Sequence, residues 1–447
     1  MTVSAHQWIE KAPESWTRGR IKNLLASAAN GVWGNEPVND GTDVYCVRAA
    51  DFDRTRQRVS KARLPQRSVD RGVLNQHRLR PGDLVLEKSG GGETQPVGMA
   101  VLFDGPEPAV CSNFCARLIP ASSVDPRFLT YALAATYNQG LTQSVVKQTT
   151  GIQNLDAAAF FALRWAYPEI AEQHRIADFL DAETARINRL MFLRNSQITR
   201  IEERYLCAIS ESSTPGIASS SRRSDRWPWL PGGLEVARLG YFARVQTGVT
   251  VHGERTKSPE DGEYPYLRVA NVQNGAVDLT EVKSIVVPSQ MAAQATLRDG
   301  DVVITEANGN PDNLGRGAVW HNEIPGMIHQ NHVFAIRTNK EKLNPEYLAA
   351  LLSSTHGRRY FRFTSSQVGI ATTSSSKVLD FPIPVTEIGE QKQIVKECES
   401  ARRTTDQAVQ LLQRQCNLLA ERRQALITAA VTGQIDVSTA SGRGIEE

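Results

Sequence analysis

Glu169-Ile170-Ala171-Glu172-Gln173-His174-Arg175-Ile176 returns 218 residues later as Glu387-Ile388-Gly389-Glu390-Gln391-Lys392-Gln393-Ile394. The same offset joins Leu79-Arg80-Pro81-Gly82-Asp83-Leu84-Val85 to Leu297-Arg298-Asp299-Gly300-Asp301-Val302-Val303, and Gly151-Ile152 to Gly369-Ile370. Asp125-Pro126 finds Asn344-Pro345, and Arg48 finds Arg268, at nearly the same spacing. One offset that holds from residue 79 to residue 176 is the signature of a duplication, and it has to be seen before any fold is assigned. The order is globular, helical, globular, helical.

The helical parts show their own period. Leu180, Ile187, Arg194, Ile201 and Ala208 recur every seven residues, and Ala177, Thr184, Met191, Ile198 and Tyr205 form a second row three residues earlier. In the last segment Cys398, Thr405, Leu412, Leu419 and Leu426 form one such row, and Ala401, Ala408, Gln415 and Arg422 the other. Interleaved sevens place two rows on one helix face, the seam of a coiled coil. Each segment predicts a helix of about 60 Å at 1.5 Å per residue. A lone helix with one apolar stripe needs a partner, and the two copies predict an antiparallel pair with pseudo-twofold symmetry. The alternative is that each helix packs only on its own globular half. The seam is expected at Leu180, Ile187, Ile201, Leu412, Leu419 and Leu426.

The globular parts read as α+β. Asp83-Leu84-Val85-Leu86-Glu87 and Asp301-Val302-Val303-Ile304-Thr305 alternate as strands, and Pro81-Gly82 and Asp299-Gly300 are the turns before them. Helices are expected at Pro126–Tyr137 and Pro345–Ser353. The boundaries predicted are a first globular domain over 1–167, a central helix over 168–210, a Ser-rich linker over 211–225, a second globular domain over 226–385, a C-terminal helix over 386–432 and a tail over 433–447.

Composition bounds the function. The 447 residues are 40% apolar and 22% charged, as in a folded chain rather than a disordered one. With 51 Lys+Arg against 48 Asp+Glu the net charge is only +3, which excludes a histone-like polycation. Local clusters still set the field near a phosphate. No apolar run reaches the ~18 residues of a membrane span. The start, MTVSAHQWIEKAPESW, lacks the apolar core of a signal peptide. Six cysteines are too few for a disulfide scaffold in a chain this long and read as reduced thiols in a cytoplasm.

The Glu-Gln-x-x-Ile run opening each long helix, with the ending Gln424-Ala425-Leu426-Ile427-Thr428-Ala429-Ala430-Val431-Thr432-Gly433-Gln434-Ile435-Asp436-Val437, resembles the specificity subunit of type I restriction–modification enzymes. The resemblance covers nearly the whole chain and the order of its four segments. It implies that the globular halves are target recognition domains, each reading one half of a split, asymmetric DNA target. The helices would set the spacer and dock methylase subunits. It further implies two adenine-methylating and two ATP-driven nuclease–translocase partners, with S-adenosylmethionine, ATP and Mg bound by those partners and no catalytic site here. The first helix departs from the pattern: its end, Tyr205-Leu206-Cys207-Ala208-Ile209-Ser210, lacks the Thr-Gly-Gln motif.

Candidate DNA contacts follow from charge and donor type. Between Arg48 and Arg80 lie ten basic residues, including Arg48, Arg54, Arg56, Arg58, Lys61 and Arg63, against three acids. Phosphate contacts need such concentration, because each neutralised phosphate releases counterions; the competing reading is a solvated Arg-rich loop. In the second half Arg358, Arg359 and Arg362, with Gln367, are the counterparts, while Phe361 reads as core. Base readout needs side chains that fit base edges. Two polar loops offer them: Lys88, Ser89, Thr94 and Gln95 in the first half, and Asn308, Asn310, Asn313 and Arg316 in the second. Gln330-Asn331-His332 is a third polar patch, with Asn113 as the mate of Asn331. Both loops could equally be ordinary surface turns.

Catalytic motifs fail on inspection. Asn344-Pro345-Glu346-Tyr347 imitates an adenine-methyltransferase loop, but Asn-Pro is a helix N-cap followed by its first residue, as is Asp125-Pro126. Asp261 with Glu281-Val282-Lys283 imitates a metal-dependent nuclease at loose spacing. No phosphate-binding Gly-x4-Gly-Lys loop exists. His329 and His332, and Cys111 and Cys115, lack further zinc ligands. Two rivals remain: an interaction scaffold of the same architecture without DNA, and an enzyme with its own methyltransferase site.

Overall fold

The computed structural model describes residues 10–60, 64–92, 95–149, 151–250, 261–366 and 369–437. The chain divides into two compact units. Unit 1 comprises residues 1–193 and 414–447; unit 2 comprises 194–413.

Five helices matter for the site: α1 (Pro126–Asn138), α2 (Ile170–Ser213), α3 (Pro345–Ser353), α4 (Thr355–Thr364) and α5 (Ile388–Val431). α2 and α5 are each 44 residues long. Neither has a globular core of its own, so each is shared between the units.

In unit 1 a six-stranded sheet runs in the order Leu25–Asn30, Cys115–Pro120, Leu84–Glu87, Ala100–Leu102, Arg58–Val59, Phe52–Asp53. A three-stranded sheet joins Gln66–Arg67, Val44–Val47 and Ala109–Cys111. Thr17–Arg20 pairs antiparallel with Arg164–Tyr167 beside the start of α2. In unit 2 the equivalent sheet has four strands, Ala243–Thr247, Val333–Thr338, Val302–Thr305 and Gly317–Val319. Val236–Arg238 with Pro382–Pro384 repeats the pair beside the helix start. Both halves are thus α+β.

The repeated Gln explains how each helix is attached. Gln173 is buried; its Oε1 accepts from the Asp125 amide at 3.0 Å, and its Nε2 donates to the carbonyls of Pro168 (2.8 Å) and Ser123 (3.3 Å). Gln391 does the same with the Asn344 amide (2.9 Å) and the carbonyls of Thr386 (2.8 Å) and Lys342 (3.0 Å). Only a primary amide carries an acceptor and two donors on one short arm. The Asp and Asn whose amides it receives are the N-caps of α1 and α3: Asp125 accepts from Arg127 N and Phe128 N, and Asn344 from Tyr347 N. A second shared device holds the sheet. Asp83 accepts from Arg117 at 2.7 Å, and Asp301 from Arg337 at 2.8 and 2.6 Å.

Within unit 1 the two helix segments run antiparallel. Ile176, Ala177 and Leu180 share one core with Ile427, Ala430 and Val431, while further along α2 Asn188 meets Arg423. Residues at the very end of the chain therefore complete the core of the first half, which excludes packing of each helix on its own half alone. In unit 2, Tyr205 and Ile209 flank the same cavity as Cys398 and Arg402, and Ile201 flanks another with Thr404 and Ala408. That order is antiparallel too. Of the expected seam residues, Leu180 and Ile187 are buried, and Ile201, Leu412, Leu419 and Leu426 are half-buried. Arg422 of the second row is exposed; its neighbour Arg423 takes the buried position.

The first helix runs three residues past the expected end, to Ser213. The stretch that follows is not a loose linker. Ile217, Trp227, Trp229 and Leu230 enter the core of unit 2. Thr214-Pro215-Gly216-Ile217 lies 218 residues before Thr432-Gly433-Gln434-Ile435 and is its structural counterpart. Gly433 (φ 71°) ends α5 in the left-handed region, and Gly216 (φ 79°), three residues beyond the end of α2, adopts the same conformation; they face Pro13 and Pro231 respectively. A side chain on Gly433 would strike Pro13 at 2.3 Å.

Candidate nucleic-acid interface

In each half three loops are locked together by backbone. In unit 1 the Gly31 amide donates to Cys115 O (3.0 Å) and Val32 N to Cys111 O (2.7 Å), while Lys88 N and Ser89 N both donate to Phe114 O (2.8 and 3.2 Å). In unit 2 Val249 N donates to His329 O (2.8 Å), Asn331 N to Val249 O (2.9 Å) and Glu306 N to His332 O (2.9 Å). The approach admits only glycine: a Cβ at Gly31 or at Gly248 would lie 2.1 Å from a carbonyl oxygen of the facing loop. The frame is common, but the side chains carried on it differ. Unit 1 presents Trp33, Lys88, Ser89, Asn113 and Phe114; unit 2 presents Glu306, Asn308, Asn331 and His332.

In unit 1 Trp33, Ser89, Asn113 and Phe114 edge a cavity of about 440 Å³ that also takes in Arg48 and Glu87. Trp33 and Phe114 are exposed. Arg67 stacks over Trp33 at 4.1 Å and pairs with Glu36. Lys88 Nζ donates to Asn30 Oδ1 at 2.7 Å, and Ser89 bonds Asn154 of the neighbouring hairpin. Gln95 is exposed, and its amide closes a tight turn with Gly92. Glu87 is buried; burial pushes its carboxyl up, against the pull of Arg54, which donates to it at 2.8 Å.

The basic run is less bare than its sequence suggests. Arg48 pairs with Asp51 (2.8 Å), Arg54 with Glu87 (2.8 Å), Arg58 with Asp104 (3.1 Å) and Arg78 with Glu107 (2.7 Å). Most of these partners lie outside the run, so counting acids within it overstates the local field. Arg56 is held more loosely: its side chain is 75% exposed, 3.8 Å from Asp53. Lys61, Arg63, Thr94 and Gln367 lie outside the described residues.

In unit 2 the asparagines shape the loop with their oxygens. Asn308 Oδ1 accepts from Asn310 N (2.9 Å), and Asn310 Oδ1 from Asp312 N (3.0 Å). Asn313 O accepts from Thr305 Oγ1 at 2.9 Å. Arg316 is half-buried with no partner for Nε, and burial lowers its pKa. Arg358 and Arg359 are exposed on α4, and Arg362 reaches Asp312 at 3.2 Å. Phe361 is core, against Gly315. His332 Nδ1 meets Glu306 at 2.7 Å, and His329 is fully buried, donating to Val333 O.

The rejected motifs have structural explanations. Asp125 and Asn344 are N-caps. Asp261 pairs in register with Pro288 and Lys283 with Tyr266, at opposite ends of an antiparallel pair and five residue steps, about 17 Å, apart. Glu281 is taken by Arg268 and Lys283. Among the described residues no three His, Cys, Asp or Glu side chains group as metal ligands, and no helix is long and apolar enough to cross a membrane.

A duplicated α+β frame that carries divergent polar loops, with long helices pinned by a Gln motif, defines a class of two-part recognition proteins. Residues 79–200 match the type I restriction modification DNA specificity domain. The chain is similar to the type I restriction enzyme EcoKI specificity subunit of Escherichia coli (strain K12), at 25% identity over 73% of this chain and 69% of that one. It is similar also to the StySPI specificity subunit of Salmonella potsdam, at 23% identity over the same shares. A solved structure described as the basis of complex assembly and conformational transition of the type I R-M system shares the fold, with a TM-score of 0.66, 17% identity, and coverage of 95% of this chain and 100% of that one. In sequence and in fold the chain is thus similar to type I restriction–modification specificity subunits.

Proposed function

We infer that this chain is the non-catalytic DNA-recognition subunit of a type I restriction–modification complex. Each globular half reads one part of an interrupted, asymmetric target. The observation that carries this is the common backbone frame with different tips. A duplicated scaffold that kept Gln173/Gln391, Asp83/Asp301 and Gly31/Gly248, but replaced Phe114 by His332 and Glu87-Lys88 by Thr305-Glu306, has kept its fold and changed what it touches. Base contacts come from such tips, and phosphate contacts from Arg56, Arg358 and Arg359.

The long helices dock methylase subunits and their length sets the spacer between half-sites. Leu190, Leu193 and Leu418 of unit 1, and Leu411 of unit 2, leave apolar surface exposed on them. Leu193 and Leu411 are repeat mates. We propose two methylase and two nuclease–translocase partners in a cytoplasmic complex; those partners bind S-adenosylmethionine, ATP and Mg.

The test is co-expression with the methylase partner in a methylation-free host and genome-wide mapping of N6-methyladenine. One interrupted, asymmetric motif that depends on this chain is expected. Assembly with the methylase but a pattern indifferent to this chain would favour a scaffold without readout. Methylation by the isolated chain would favour an enzyme.

A further inference from the structure

Unit 1 holds a second cavity, of about 710 Å³, where the turn around residues 55–58 faces α2 and the last part of α5. Four guanidinium groups line it: Arg56, Arg58, Arg189 and Arg423. Arg423 is the unusual one. It is 9% exposed, it donates to Asn188 Oδ1 at 3.2 Å, and no carboxylate lies within ion-pair distance among the described residues. A buried guanidinium without an anion is costly, and burial lowers its pKa. The only acid in the lining, Asp181, is already engaged by Arg127 (2.9 Å) and the Tyr131 hydroxyl (2.7 Å). Arg58 is paired with Asp104 (3.1 Å) and Arg56 lies 3.8 Å from Asp53, so Arg423 and Arg189 are the lining guanidinium groups with no carboxylate at ion-pair distance among the described residues.

The equivalent cavity of unit 2, about 430 Å³, has the opposite character. Its turn carries Gly275, Ala276 and Val277; Tyr205 stands where unit 1 has Arg423. Glu323, Glu346 and Glu399 outnumber Arg402 in its lining. An architectural need of the fold would have been met in the same way twice. The cluster of arginines is therefore a property of unit 1 alone, and it calls for an anion.

We propose that this cavity is a phosphate-binding site, with Arg423 as its buried donor and Arg56, Arg58 and Arg189 completing it. Planar guanidinium groups donate two parallel N–H bonds to phosphate oxygens, and several of them around one space match a tetrahedral anion better than a single carboxylate. The phosphate comes either from the backbone of a bound duplex or from free phosphate; the duplex source rests on the DNA-recognition reading, whereas the free-phosphate source does not.

The experiment uses the full chain assembled with its methylase partner, as wild type, Arg423→Gln and Arg56→Gln. Arg56 is exposed, so its replacement leaves the fold intact and keeps the test decisive should Arg423→Gln unfold. The first arm measures melting temperature against inorganic phosphate, with chloride at equal ionic strength as reference. A saturable upward shift in wild type, lost in Arg423→Gln and weakened in Arg56→Gln, is expected. Equal shifts with phosphate and chloride, or a phosphate shift unchanged by both substitutions, would overturn the proposal. The second arm measures duplex affinity against salt. A log–log slope shallower by about 0.9 in either variant assigns the phosphate to the duplex backbone. An unchanged slope with a lost phosphate shift assigns it to free phosphate. Wild-type complex that binds no duplex would sink the recognition reading, while the first arm still decides the site.

Discussion

Unit 1 and unit 2 are built on the same frame and differ in what they do with charge. Each has its helix pinned by a buried Gln, its sheet crossed by an Asp–Arg pair, and its loops drawn together over a glycine. Yet the loop tip that is Phe114 in one is His332 in the other, and the charged lining of the cavity beside the helices is four arginines and one aspartate in one, three glutamates and one arginine in the other. Where the two agree, the residue serves the fold. Where they disagree, it is free to serve recognition.

The comparison breaks most easily at the agreed positions. Gln173→Ala and Gln391→Ala each leave two carbonyls and an amide without their buried partner, and each is expected to cost about 3–5 kcal/mol, read as a fall in ΔG from urea unfolding. Similar losses would support equivalent roles; a neutral result at one site would mean that its half is held in another way.

Acid sharpens the difference. Unit 2 buries His356, which accepts from Trp229 Nε1 at 3.0 Å and donates to Pro382 O at 2.7 Å. Burial pushes its pKa down to about 4 from 6.5. A depressed folded pKa gives stability that is present above pH 6.5 and is lost as pH falls through that value toward 4. Between pH 7.5 and 5 the loss is about 2 kcal/mol. Among its described residues unit 1 has no buried histidine. The expectation is that His356→Gln flattens the dependence of unfolding free energy on pH over this interval; an unchanged slope would remove His356 as its source.

At the helices, Leu411→Asp with Leu418→Asp changes exposed side chains and is expected to leave the melting temperature within a degree or two while methylase co-purification is lost. Retained assembly would place the docking surface elsewhere. The smallest effects belong to single tips. Lys88→Ala is expected to cost about 1–3 kcal/mol of discrimination at one base pair of one half-site, read from affinities for single-substitution duplexes, and to leave the other half-site unchanged.

The sequence carried the repeat, because Gln173, Asp83 and Gly151 recur at one offset and each is fixed by local geometry. It also carried the antiparallel helix pair, because a stripe repeating every seven residues needs a partner. It hid the end of the first helix: Thr214-Pro215-Gly216-Ile217 sits at the right offset, but proline and the surrounding serines resemble a linker, and only the burial of Ile217 and Trp229 shows otherwise. The ion pairs of the basic run were hidden for another reason. Glu87, Asp104 and Glu107 reach Arg54, Arg58 and Arg78 across the sheet, and no local pattern announces such partners. Phe114 reads as part of an apolar stretch, and Arg423 as a surface charge beside Arg422. Their exposure and burial are decided by tertiary packing.

The most direct test is to map N6-methyladenine in parallel for the complexes carrying Lys88→Ala with Phe114→Ala, and Asn310→Ala with His332→Ala. The account predicts that the first pair relaxes only one half of the interrupted motif, the second pair relaxes only the other, and the spacer stays the same in both. If either pair altered both halves alike, or if neither altered the motif, the two halves would not be independent readers and the central claim would fail.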